Sequence, residues 1–131
     1  MSDPKAKFNN FKNAISRLNE GINLFDGDEL ARDGIIQRFE FTFELAWKTL
    51  KAVFEDEGLI GLNSPKTVLR EALTAGLISD EELWLDMLND RNSTTHIYSE
   101  SLSLDIYNRI HDRYGIALEE LAKNIESRIK K

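Results

Sequence analysis

With 131 residues, 41% of them apolar and 31% charged, the chain has the make-up of one folded domain and not of a disordered segment. It contains no cysteine, which excludes disulfides, thiolate metal sites and a cysteine nucleophile, and fits a reducing, cytoplasmic setting. A formal net charge of −6 excludes nucleic-acid binding over the whole surface, so any RNA or nucleotide contact has to be local.

The opening stretch, Met1 to Lys7, has no apolar segment behind its lysines, and no apolar run approaches membrane-spanning length. The sequence therefore reads as one domain over residues 1–131, with neither secretory signal nor membrane partner. Phe8, Phe11, Ile15, Leu18, Ile22 and Phe25 recur in steps of three and four, one apolar stripe on a first helix of about six turns that ends near Gly27.

A second helix is expected from near Leu30 to Glu57. Its main stripe is Ile36, Phe39, Phe43, Ala46, Leu50 and Val53, and Ile35, Phe41, Leu45 and Trp47 give it a second apolar face. It should therefore lie centrally, with Glu44 and Lys48 as an i,i+4 pair and Gly58 as the residue that stops it. Ser64 and Pro65 read as N-cap and first position of a short helix through Val68, Leu69, Ala72 and Leu73. Ser79 to Glu82 has the spacing of a capping box for a helix carrying Leu83, Trp84, Met87 and Leu88 up to Arg91. The last helix presents Leu102, Ile106, Ile110, Tyr114, Ala117, Leu121 and Ile125 on one face, with Gly115 as a weak point. No strand pattern appears. The expected fold is all-α: an antiparallel up-and-down bundle of four long helices plus one short one.

The unusual stretch is Arg91-Asn92-Ser93-Thr94-Thr95-His96-Ile97-Tyr98. On an unbroken helix, arginine and histidine five residues apart would diverge by about 140°. The short polar residues between them favour a break, which puts Arg91 on the last turn of one helix and lets Thr94 or Thr95 cap the next. His96 would then lie in the first turn of the last helix, where the dipole disfavours its protonated form and suits it to act as a base. Arg91 would fork onto phosphate oxygens. Those parts suit metal-independent RNA cleavage, with His96 activating a ribose 2′-hydroxyl or protonating the leaving oxygen. No second histidine or carboxylate cluster at ligand spacing accompanies His96, so neither a metal nor a cofactor is expected. The plainer reading pairs Arg91 with a carboxylate such as Asp90 or Glu100 and leaves His96 to packing.

Arg91, His96 and Tyr98 together match the R-x4-H-x-Y signature, and the chain resembles the HEPN-superfamily proteins of the HepT toxin type. The block from Gln37 to Lys51 and the residues Trp84, Met87, Leu88, Arg91 and Asn92 are similar to a group described as nucleotidyltransferase substrate-binding proteins. The resemblance implies a helical homodimer whose paired Arg/His motifs face a shared cleft holding RNA or a nucleotide. It also implies a minimal nucleotidyltransferase as partner, which silences the RNase by adenylylating Tyr98. The other implication carried by the same group is a substrate-binding subunit of a two-chain nucleotidyltransferase, in which Arg91, His96 and Tyr98 bind without cutting.

Asn92 and Glu40 are supporting candidates, Glu40 having a solvated or ion-paired helix face as its plainer role. Trp47 and Trp84 read as core or interface anchors, Tyr107 and Tyr114 as packing residues, and His111 as an outward-facing residue without a role. Arg109 and Arg113 read as surface partners of Asp105 and Asp112, or as an extension of a phosphate-binding surface.

Overall fold

A computed structural model describes residues 3–94 and 99–130. Six α-helical segments follow one another: α1 (Pro4–Leu24), α2 (Glu29–Asp56), α3 (Pro65–Thr74), α4 (Glu81–Ser93), α5 (Glu100–Arg109) and α6 (Gly115–Ile129). A π-helical turn, Ile110–Tyr114, joins α5 to α6 without a break, so the expected four long helices and one short helix are all present. There is no strand among the described residues.

The register of side-chain contacts fixes the topology. Arg38 reaches the carbonyl of Arg17, Thr42 that of Ala14 and Thr49 that of Lys7, so α1 and α2 run antiparallel. Asp86 and Asp90 meet Arg113 and Arg109 in the same inverted order, which makes α4 antiparallel to the last helix. Helix α2 lies parallel to α5–α6, with Arg32 beside Ser103 at one end and Glu57 beside Arg128 at the other. The result is an up-and-down bundle.

One core runs the length of it. Phe11, Leu18, Phe39, Phe43, Leu50, Met87, Ile106, Ile110, Tyr114 and Leu118 are all fully buried, and Phe39 stacks on the Tyr114 ring at 5.3 Å between centroids. Burying a side chain of this size contributes roughly 1.5–3 kcal/mol, so the stripes read from periodicity hold the bundle together. Gly58 closes α2 at φ +97°, a left-handed conformation that a side chain would strain. No helix among the described residues is long and apolar enough to cross a membrane.

Several local expectations are corrected. The N-cap of α4 is Asp80, whose carboxylate accepts from the Leu83 amide, so the capping box expected from Ser79 to Glu82 does not form and a single side-chain cap one residue later takes its place. Phe41 does not join a buried face of α2 but stands 62% exposed. Leu102 is also exposed, because the first turn of α5 points Ser103 inward to accept from Arg32 Nε at 3.2 Å. Arg32 itself is buried, 3.8 Å from Glu100, and its Nη2 has no hydrogen-bond partner among the described residues.

Candidate functional site

Arg91 lies on the last turn of α4, as its position before a run of short polar residues requires. That turn closes on itself: Ser93 Oγ donates to the Asp90 carbonyl and Thr94 Oγ1 to the Arg91 carbonyl. Thr95 lies outside the described residues, and Thr94 does not cap the next helix. Ser99 does so, its hydroxyl accepting from the Leu102 amide, and α5 starts at Glu100. The first turn of the last helix therefore begins at Glu100. His96 and Tyr98 both lie outside the described residues.

Arg91 pairs with a carboxylate, as the plainer reading expects, but the partner is Glu44 and not Asp90 or Glu100. Its Nε donates to Glu44 Oε1 at 3.1 Å, from the last turn of α4 to the middle of α2. Glu44 Oε2 accepts from the Trp47 indole at 3.2 Å and faces Lys48 Nζ at 3.8 Å, so the expected i,i+4 pair forms as part of a larger cluster. Glu44 and Arg91 are each about a quarter to a third exposed, at the edge of the bundle. The terminal nitrogens of Arg91 make no hydrogen bond among the described residues.

Asp90 points the other way. It is buried, and Arg109 grips it with Nε at 2.7 Å and Nη2 at 2.9 Å, while the Tyr114 hydroxyl donates to it at 2.5 Å. A regular helix would set Arg109 and Tyr114 about 140° apart. The π turn between them closes with the Gly115 amide bonding to the Ile110 carbonyl, five residues back, and so brings the two onto one side. Gly115 permits the turn: a Cβ there would lie 3.3 Å from the Ile110 carbonyl oxygen. The hydrogen bonds that Arg109 donates to Asp90 hold its guanidinium above its ordinary pKa, against the effect of burial. Burial first, then Asp90, pushes the Tyr114 phenol well above its ordinary value.

Other candidates fall into place around this. Asn92 is exposed, one residue beyond Arg91. Glu40 is half-buried one turn before Glu44 and makes no hydrogen bond or ion pair among the described residues. Arg109 and Arg113 are committed to Asp90 and Asp86 on α4, not to Asp105 and Asp112 on their own helix. His111 is exposed, as expected, beside Asp112 at 2.7 Å. Trp84 is a core residue, and Trp47 is half-buried with its indole N–H on Glu44. Among the described residues no three His, Asp or Glu side chains group as a metal site would require.

Sequence reasoning missed Glu44 as a partner of Arg91, because the two are 47 residues apart and nothing in either segment marks the other. It also missed the Asp90–Arg109–Tyr114 cluster. Gly115 was the available signal, since a glycine inside an otherwise regular apolar stripe often marks close backbone approach.

Residues 6–127 match the family described as nucleotidyltransferase substrate binding protein like. The chain is 37% identical over 83 residues to a protein of Haemophilus influenzae named probable ribonuclease HepT, an alignment covering 60% of this chain and 57% of that one. It thus spans a little over half the length of that relative. A crystal structure of a Thermus thermophilus protein aligns with a TM-score of 0.75 at 39% identity, over 92% of this chain and 99% of that one. The Haemophilus influenzae protein HI0074, described as having the fold of a substrate binding domain of a nucleotidyltransferase, aligns with a TM-score of 0.80 at 29% identity, over 91% and 98%. The chain belongs to the nucleotidyltransferase substrate binding protein family.

Proposed function

We propose that this protein is a HEPN toxin-type RNase of a toxin–antitoxin pair, cleaving RNA without a metal at Arg91 and His96. The observation that carries this reading is the state of Arg91. It sits at the end of α4, held through Nε alone among the described residues, while the adjacent carboxylate of Asp90 is fully taken up by Arg109 and Tyr114. A guanidinium held in this way keeps its terminal N–H groups for a phosphate. The likeness to a probable ribonuclease HepT supports the same class of reaction.

In this reaction His96 takes the proton of a ribose 2′-hydroxyl and the 2′-oxygen attacks phosphorus. The bond to the 5′-oxygen breaks, a proton is delivered to that oxygen, and Arg91 stabilises the charge on the pentavalent phosphorus. Asn92 and Glu40 stand by as supporting polar groups. The working form is a homodimer with the two motifs facing one cleft, and Phe41, exposed one turn from Glu44, supports a contact there. The partner is a minimal nucleotidyltransferase. Its transfer of AMP to Tyr98 puts phosphate charge and bulk beside Arg91 and His96 and silences the RNase.

The family description favours a second reading: a non-catalytic substrate-binding subunit of a two-component nucleotidyltransferase. Expression with and without a co-expressed minimal nucleotidyltransferase separates the two. The RNase reading expects growth arrest that the partner relieves, with AMP on Tyr98 by mass spectrometry. Intact RNA and unimpeded growth, with nucleotide binding only in the presence of the partner, would favour the subunit.

A further inference from the structure

We propose that Glu44 is the positioning carboxylate of Arg91, fixing the guanidinium through Nε so that its two terminal nitrogens meet the scissile phosphate. The inference rests on Arg91 as the phosphate-binding residue and adds the group that aims it.

The geometry is specific. A guanidinium has five N–H donors in a rigid fork, and Glu44 occupies the one on Nε, at 3.1 Å. The four on Nη1 and Nη2 are left as a pair of parallel donors, the arrangement that recognises a phosphate through two oxygens. An end-on pairing with a carboxylate would have consumed those donors instead. Asp90 is the carboxylate next to Arg91 in the chain, and its two oxygens are bound by Arg109 and Tyr114.

Glu44 is in turn held from its own helix. Its second oxygen accepts the Trp47 indole N–H at 3.2 Å and lies 3.8 Å from Lys48 Nζ, both within one turn. Neighbours on α2 thus set one carboxylate rotamer, and that carboxylate sets one guanidinium on α4. Misplacing such a group by about 1 Å costs on the order of 100-fold in rate.

The test is steady-state cleavage of a single-stranded RNA oligonucleotide by the full chain and its Glu44→Ala, Glu44→Gln and Arg91→Ala variants, with melting temperatures measured in parallel. Arg91→Ala should abolish cleavage. Glu44→Ala should lower kcat ~10- to 100-fold with much less change in KM, because the orientation lost matters chiefly in the transition state. Glu44→Gln keeps one acceptor oxygen for Nε and should recover most of kcat. An inactive Arg91→Ala beside a fully active Glu44→Ala would overturn the positioning role and leave the RNase reading standing. A wild-type chain that leaves the oligonucleotide intact, or an Arg91→Ala variant that cuts normally, would remove both. If both Glu44 variants lose activity only in proportion to lost melting temperature, Glu44 is a structural residue and the proposal fails.

Discussion

The hydroxyl of Tyr114 donates to Asp90 Oδ2 at 2.5 Å because the turn between Arg109 and Tyr114 is wound as π rather than α. That turn brings a guanidinium and a phenol onto the same carboxylate and ties the last helix to the turn of α4 that carries Arg91. Hydrogen bonds to charged groups contribute about 1.5–3 kcal/mol. Tyr114→Phe keeps the ring stacked on Phe39 and removes only the hydroxyl, so urea denaturation should show a loss in that range with an unchanged slope. A loss below about 0.5 kcal/mol would mean that Arg109 alone satisfies Asp90.

The π turn makes a second, opposite-signed prediction about two helical glycines. Gly34 lies within α2, and a Cβ there would meet nothing within 4 Å. Gly34→Ala should stabilise the protein by roughly 0.5–1 kcal/mol through helix propensity. Gly115→Ala carries the same propensity gain but sets its Cβ 3.3 Å from the backbone oxygen that closes the π turn. It should be neutral or destabilising in the same denaturation experiment, and an equal gain at both sites would argue against the π turn.

The fold was largely legible in the sequence, because steps of three and four apolar residues state which face of a helix is buried. Phe11, Leu18, Phe39, Phe43, Leu50, Ile106 and Leu121 all went where their spacing put them. The errors came where polar chemistry overrode that period: Ser103 turned inward toward Arg32 and left Leu102 outside, and Asp80 capped in place of Ser79. The candidate site was legible only in part. Arg91 was found from its residue type and its place before a helix break. Glu44, Asp90, Arg109 and Tyr114 act by pairings across helices, which no local pattern encodes.

Stability should fall at both pH extremes, for different reasons. Arg128 donates from Nε and Nη2 to the two oxygens of Glu57, at 2.8 Å each, and this hydrogen bonding holds the Glu57 carboxyl below its ordinary value. A folded-state pKa depressed below the unfolded one means a contribution that is present at neutral pH and lost as pH falls through the folded value. The pair is about a third exposed, so that contribution is small. Tyr114 has the opposite sign: its folded pKa is raised by burial, so its contribution is intact below about pH 10 and is lost as pH rises through the folded value. Denaturation across pH should show a shallower acid limb in Glu57→Gln and a shallower alkaline limb in Tyr114→Phe. Limbs unchanged from wild type in both variants would assign the losses to other groups.

The proposed dimer cleft makes a prediction at Phe41. This ring is 62% exposed on α2, three residues from Glu44, and fully burying such a side chain is worth about 1.5–3 kcal/mol per copy. Phe41→Glu should therefore weaken self-association at least ~10-fold in sedimentation experiments while leaving the melting of the separated chains nearly unchanged. An association constant equal to that of wild type would place the contact on another face.

The most direct measurement is RNA cleavage by the purified protein in a chelator, comparing wild type with Arg91→Ala and His96→Ala. Wild type should cut, leaving 2′,3′-cyclic phosphate and 5′-hydroxyl ends, and both variants should be folded but inactive. RNA left whole by the wild-type protein, or cut equally well by either variant, would contradict it.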